Sequence, residues 1–232
     1  MRVLTIQNFE ATGLGQVATA LDEASVAVDV VKAYEGETIP ADTGRYDGLI
    51  VLGGEQNALD DAKSPYFPAL LDEMRAFDRS GRAVLGICLG AQLLARAHGA
   101  ENRIGAAPEF GWCAVALTDE GRADPLTNGL APTFPIFEWH DDTFTLPQGA
   151  VRLATNGAAP NQAFRIGRAS YGAQFHFEAD RKLVREWNGV FADVIAARHP
   201  DWETTHAAQA ALHGAAADAA GLAIARAWVK IL

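Results

Sequence analysis

Read for its alternation of apolar and polar positions, the chain changes texture near Gly99. Val3 to Ile6 is a short apolar run of strand character, and Gly13 to Ala24 follows with Leu14, Val17, Ala18 and Leu21 at helical spacing. Val26 to Val31 reads as a second strand. The polar stretch Gly36 to Arg45, which carries Pro40 and Gly44, reads as a loop, and Gly48 to Leu52 as a third strand ending in Gly53-Gly54. Ser64-Pro65 or Phe67-Pro68 opens the next helix, whose Leu70, Leu71, Met74 and Phe77 form one apolar stripe up to Ser80-Gly81. Ala83 to Ile87 then reads as a strand that runs into a helix, Leu89 to Ala97, with no loop residues between them.

This alternation predicts a flavodoxin-like α/β fold, a mostly parallel central sheet with helices on both faces and functional residues at the carboxyl ends of the strands. Beyond Gly99 the runs shorten and are broken by Gly and Pro: Trp112 to Leu117, Phe134 to Trp139, Val151 to Thr155, Gln162 to Ile166 and Tyr171 to Phe177. These predict a small additional antiparallel region whose loops carry function. Leu183 to Ala197 and Thr204 to Leu232 finish the chain as helices. The last is alanine-rich and reads as a packed face or as the contact surface of a homo-oligomer, rather than a tether.

Composition narrows the functional classes. The 232 residues suffice for one full-sized α/β domain, so a single domain over 1–232 is expected. A 49% apolar and 21% charged chain can bury a sizeable core. The net charge of −10, with arginines scattered, lacks the basic stripe that phosphate-backbone binding requires, so no nucleic acid partner is expected. Met1 to Glu10 turns polar too soon for a signal peptide and no apolar run reaches membrane-spanning length, which predicts a cytoplasmic protein without a membrane partner. The two cysteines are then not expected to pair, and Cys113 reads as structural.

Cys88 lies between Gly86 and Gly90 at the strand-to-helix junction. Small flanking residues let such a turn close while its central residue is strained and its side chain is pushed outward, which suits a nucleophile. A helix N-terminus also favours thiolate over thiol. The alternative is a small buried core cysteine. Of six histidines, His98 precedes Gly99 at a helix end, where the dipole accounts for it, and His199, His206 and His213 read as surface residues of the terminal helices. His176 lies in the strand-like run Gly172-Ala-Gln-Phe-His-Phe-Glu178. Residues two apart on a strand share a face, so Glu178 can hydrogen-bond His176 and complete a Cys88, His176, Glu178 triad; a core histidine satisfied by its neighbour is the alternative. Gly53-Gly54, otherwise a plain turn, and the Leu89 N–H can supply an oxyanion hole through the N–H groups of Gly54 and Leu89. No Cys or His pair has zinc-ligand spacing, so neither a metal nor a cofactor is expected.

Together these stretches resemble the class I glutamine amidotransferases over nearly the whole chain. Gly86-Ile-Cys-Leu-Gly-Ala-Gln92 is similar to that family's nucleophile motif and Gly172 to Glu178 to its G-x-Q-F-H-P-E, with Phe177 in place of the usual proline. Leu52-Gly-Gly54 is similar to its oxyanion loop. Glu109-Phe-Gly-Trp112, Trp139-His-Asp-Asp-Thr-Phe144 and Asn161-Gln-Ala-Phe164 resemble short stand-alone members akin to the glutaminase part of GMP synthase, with Asp141 where such members often have glycine. The resemblance implies that Cys88 attacks the side-chain amide of glutamine or another γ-glutamyl bond, that His176 protonates the leaving amine and that a thioester is then hydrolysed. It implies Gly53 and Gln92 as substrate contacts, with His140 and Asp142 at the pocket rim, where a local His-Asp hydrogen bond is the alternative. No phosphate-cradling glycine loop accompanies these motifs. Either a separate synthetase chain docks at the strand ends, or the protein hydrolyses γ-glutamyl compounds alone, or it is a regulatory protein that kept the fold.

Overall fold

The computed structural model describes residues 1–232. In its first half β1 (Arg2–Gln7), α1 (Gly15–Glu23), β2 (Ala27–Lys32), β3 (Gly48–Val51), α2 (Phe67–Arg79), β4 (Ala83–Ile87) and α3 (Leu89–Ala97) alternate as the hydrophobic pattern predicts. After β5 (Asn102–Arg103) come β6 (Glu109–Leu117), the short α4 (Asp119–Ala123), β7 (Thr133–His140), β8 (Thr143–Phe144), β9 (Val151–Thr155), β10 (Ala163–Ile166) and β11 (Ser170–Ala173). The chain ends in α5 (Arg181–Val190), α6 (Ala192–Arg198), α7 (Trp202–Gln209), a π turn at Ala210–Gly214 and α8 (Ala215–Val229). No helix is long and apolar enough to cross a membrane.

The nine-stranded sheet has the order β2-β1-β3-β4-β11-β10-β9-β6-β7. The strands from β2 through β11 pair in parallel, in the order of a flavodoxin-like sheet, which is the mostly parallel α/β architecture expected. Antiparallel pairing from β10 to β7 extends the same sheet, and β5 with β8 forms a separate two-stranded piece.

All four residues of β3 are buried, as a strand covered on both faces requires. Ile50 meets Val17 and Leu21 of α1 and Ile224 and Trp228 of α8 in one core, while Leu49 and Val51 face Leu70, Met74 and Phe77 of α2 and Leu93 and Leu94 of α3 in another. Each of these large side chains contributes about 1.5–3 kcal/mol on burial. A third cluster, with Trp112, Phe137, Trp187 and Trp202, seats α5 through α7 against β6 and β7. His199, expected at the surface, is half-buried because its ring stacks on Phe110 with centroids 4.0 Å apart.

One close approach fixes the helix that matters most. A Cβ on Gly90 would lie 2.0 Å from the Val51 carbonyl oxygen, and one on Gly86 would lie 2.4 Å from the Gly90 oxygen. Only glycine at these positions lets α3 start directly off β4 and lie on β3.

Candidate active site

The end of β4 places Cys88. Its N–H donates to the Ala173 oxygen at 2.8 Å, continuing the β4–β11 ladder in which Ile87 pairs with Ala173. The chain then turns into α3 with Cys88 at φ 51 and ψ −109, a left-handed conformation that a residue with a Cβ adopts only when its surroundings enforce it. Cys88 lines a cavity of 360 Å³ together with Gly54, Leu89, His176 and the ring of Trp187. The sulfur approaches the Trp139 oxygen at 3.7 Å and accepts from the Gln174 side-chain amide at 3.8 Å.

His176 and Glu178 do not sit on a strand. β11 ends at Ala173, and both residues lie in the turn beyond it, so their pairing comes from the turn and not from strand alternation. The turn is tied down from outside: the His176 N–H donates to the Phe137 oxygen at 2.8 Å, and Gln16 of α1 donates its backbone N–H to the Glu178 oxygen at 2.8 Å and its side-chain amide to the Phe177 oxygen at 3.1 Å. Phe177 is fully buried in the core, so an apolar side chain anchors this turn. His176 Nδ1 lies 2.6 Å from Glu178 Oε1, and Trp187 packs edge-on against the imidazole. Burial alone would pull the imidazole pKa down. The Glu178 carboxylate and the Cys88 sulfur outweigh it and hold His176 well above its ordinary range.

Gly53 and Gly54 follow β3, and two polar residues from the β1–α1 connection pin them. Asn8 donates its amide to the Leu52 oxygen at 2.6 Å, and Thr12 donates its hydroxyl to the Gly53 oxygen at 3.0 Å. Asn8 is held in turn by Tyr66, whose hydroxyl donates to it at 3.0 Å. The Gly54 N–H has no backbone acceptor, and the Leu89 N–H, first in α3, has none within its helix. Sequence reasoning missed Asn8 and Thr12, although polar residues directly after an apolar strand were a signal available in Gln7-Asn-Phe-Glu10.

The remaining candidates are also brought to the cavity. Gln92 lines it, but its amide nitrogen approaches the Gln174 side-chain oxygen at 3.3 Å and the Asp142 oxygen at 3.5 Å; Gln174 lies inside the motif around His176 and sequence reasoning missed it as well. His140 lines it with both ring nitrogens turned elsewhere, Nδ1 to the Asp142 oxygen at 3.0 Å and Nε2 toward Glu109 and Glu138 at 3.2 and 3.3 Å. The Asp142 carboxylate accepts from the Gly105 N–H at 2.8 Å. Asp141 receives Arg198 of α6 at 2.6 Å, so an ion pair between α6 and the β7–β8 turn stands at the mouth. Cys113 lies away from the cavity, unpaired, its thiol pushed up to about 12 by burial and by the carboxylates of Glu138 and Glu109.

Comparison with known proteins agrees with this architecture. The family described as glutamine amidotransferase class-I matches residues 6–185. A subunit of the glutamine-hydrolyzing GMP synthase of Natronomonas pharaonis is 35% identical over 153 residues, 65% of this chain and 76% of that protein. The glutamine amidotransferase-like protein YfeJ of Salmonella typhimurium is 28% identical over 181 residues, 77% of this chain and 76% of that one. The crystal structure of a glutamine amidotransferase from Methylobacillus flagellatus superposes with a TM-score of 0.87 at 26% identity, covering 100% of this chain and 95% of that chain.

Proposed function

The chain belongs to the class-I glutamine amidotransferase family, and from that premise we propose that it hydrolyses the γ-glutamyl amide of glutamine with Cys88 as nucleophile, His176 as acid and base, and Glu178 as the group that orients His176. The observation that carries this reading is the strained Cys88 at the start of α3, sharing one cavity with a His176 whose other face is bound to Glu178 at 2.6 Å. Sγ attacks the amide carbon, and the developing oxyanion is taken by the N–H groups of Gly54 and Leu89. The C–N bond breaks as His176 gives its proton to the departing nitrogen, which leaves as ammonia and leaves a thioester on Sγ. Water, deprotonated by His176, then attacks the thioester carbon, releasing glutamate and restoring the thiol. Gln92, His140 and Asp142, which line the cavity, form the wall against which the glutamyl portion rests, and Gly53, which does not line it, acts by placing Gly54.

Two destinations for the nitrogen follow from separate observations. Several relatives are named as one subunit of a GMP synthase, which supports a separate synthetase chain as the acceptor of ammonia. The cavity is lined by Phe9, Phe191, Val194 and the buried Trp187, which supports instead a γ-glutamyl compound with an apolar amine that is hydrolysed without an acceptor. The test supplies purified protein with glutamine and with γ-glutamyl amides and peptides and follows released ammonia or amine beside Cys88→Ser. Amine release from the larger substrates alone selects the second destination, and ammonia release that needs an added protein selects the first. No release from any of them, with no labelling of Cys88 by a glutamine-like electrophile, leaves a regulatory protein and overturns both.

A further inference from the structure

Behind the cavity wall, three donor groups converge, Glu109 from β6 and Glu138 and His140 from β7, and none takes part in the bond changes of the proposed reaction. Glu109 on β6 stands directly opposite His140 on β7, and Glu138 is two residues before His140, two pairs along the ladder and opposite Gly111. The donor atoms of the three side chains all lie within 4.8 Å of one another. His140 Nε2 is 3.2 Å from Glu109 Oε2 and 3.3 Å from Glu138 Oε2, yet neither approach has hydrogen-bond geometry. Glu138 is completely buried, and neither of its carboxylate oxygens has a hydrogen-bond partner, although His140 lies within ion-pair distance. A buried carboxylate left in this condition is costly unless something else occupies the space between the donors.

We propose that Glu109, Glu138 and His140 form a binding site for one divalent first-row transition cation. The spacing fits: metal–ligand bonds of about 2.0–2.2 Å hold neighbouring donors roughly 3–3.6 Å apart. The tautomer fits as well. The Asp142 carbonyl oxygen can only accept, so Nδ1 carries a hydrogen and donates to it at 3.0 Å, which leaves Nε2 as the ring atom that takes either a proton or a cation. Glu109 is oriented by Asn156 and Gln162, which donate to its two oxygens at 2.5 and 2.6 Å, the kind of outer hydrogen bonding that ligating carboxylates receive. A divalent ion would neutralise two carboxylates and a neutral imidazole; without one, protons take that place, since burial raises Glu138 to about 7 and, against burial, the carboxylates of Glu109 and Glu138 raise His140 to about 10. One nitrogen and two carboxylate donors suit Mn²⁺ or Zn²⁺ rather than a thiophilic ion.

The experiment uses the full chain carrying Cys88→Ser, which removes the cavity thiol as a competing soft ligand. After chelator treatment and dialysis, MnCl₂ is titrated, free Mn²⁺ is followed by electron paramagnetic resonance and bound metal is counted by elemental analysis. One Mn²⁺ per chain is expected, displaceable by Zn²⁺, with affinity at least about tenfold weaker when Glu138→Gln is added. Melting temperature should rise with Mn²⁺ in the first protein and not in the second. Absence of stoichiometric binding up to millimolar Mn²⁺ in the Cys88→Ser protein overturns the proposal whatever the variants do. Unchanged affinity in both Glu138→Gln and Glu109→Gln, each checked for native circular dichroism, also overturns it.

Discussion

Replacing Gly90 and Gly189 by alanine, one at a time, sets the same gain in helix propensity against two different surroundings. In an unhindered helix interior, Gly→Ala stabilises by about 0.8–1.0 kcal/mol. Nothing lies within 4 Å of a Cβ built on Gly189, near the end of α5, so Gly189→Ala should keep most of that gain, roughly 0.5–1 kcal/mol. On Gly90 the new Cβ would sit 2.0 Å from the Val51 oxygen, 2.8 Å from its carbonyl carbon and 3.2 Å from its Cβ. Relief requires α3 to lift by more than about 1 Å, since carbon and oxygen do not approach much closer than van der Waals contact, about 3.5 Å. Val51 cannot yield, because β3 is hydrogen-bonded to β1 on one side and β4 on the other. Overpacking of a well-packed interior costs about 1–3 kcal/mol, and lifting α3 also loosens Leu93 and Leu94 from their core. Less the propensity gain, the overpacking cost leaves Gly90→Ala destabilised by up to about 2 kcal/mol, with the loosened Leu93 and Leu94 adding to it. Urea unfolding monitored by tryptophan fluorescence measures both, and thermal melting should show opposite shifts, at about 2–4 °C per kcal/mol for a chain of this size. Since Cys88 and Leu89 move with α3, Gly90→Ala should also lower amide hydrolysis by on the order of 10²-fold in the folded protein. A Gly90→Ala protein as stable and as active as the parent would refute the argument that Val51 dictates where α3 begins.

Glu178→Gln removes a carboxylate that raises the His176 pKa against burial, so the alkaline limb of kcat/KM should move to lower pH, and an unmoved limb would count against Glu178 as the orienting group. Because the folded pKa of His176 is raised, its charge contributes stability that is full below its ordinary value of 6.5 and is lost as pH climbs through the higher folded value; unfolding at about pH 6 and about pH 9 should therefore differ less in Glu178→Gln than in the parent. Asn8→Ala strips the buried Leu52 oxygen and the Tyr66 hydroxyl of their partner, which should cost about 1–3 kcal/mol in urea unfolding and slow turnover by loosening Gly53-Gly54. Arg198→Ala opens an ion pair whose members are 48% and 38% exposed, so stability should change by less than about 1 kcal/mol while KM for γ-glutamyl substrates shifts; a large loss of stability with unchanged KM would reverse that assignment.

The sequence by itself determined the part of this protein that depends on neighbouring residues. The β-α-β run through Leu94, the elbow at Cys88 and the glycines that flank it were legible because strand and helix periodicities are local and because a turn without loop residues needs small side chains on either side of it. The placing of Cys88 and His176 on one cavity, with Glu178 against His176, was legible too, since all three lie past the ends of parallel strands. The physical means of the His176–Glu178 pairing was not. A run of alternating apolar residues looks the same whether it pairs along its length or leaves the sheet, and only the hydrogen bonds from Gln16 and to Phe137 decide that the chain turns after Ala173. The same holds for Asn8 and Thr12, whose partners lie more than forty positions away. It holds most of all for Glu109, where no spacing in the chain suggests that it joins Glu138 and His140. The antiparallel register of β6 against β7 brings them together, and register is a property of two strands that neither strand encodes alone.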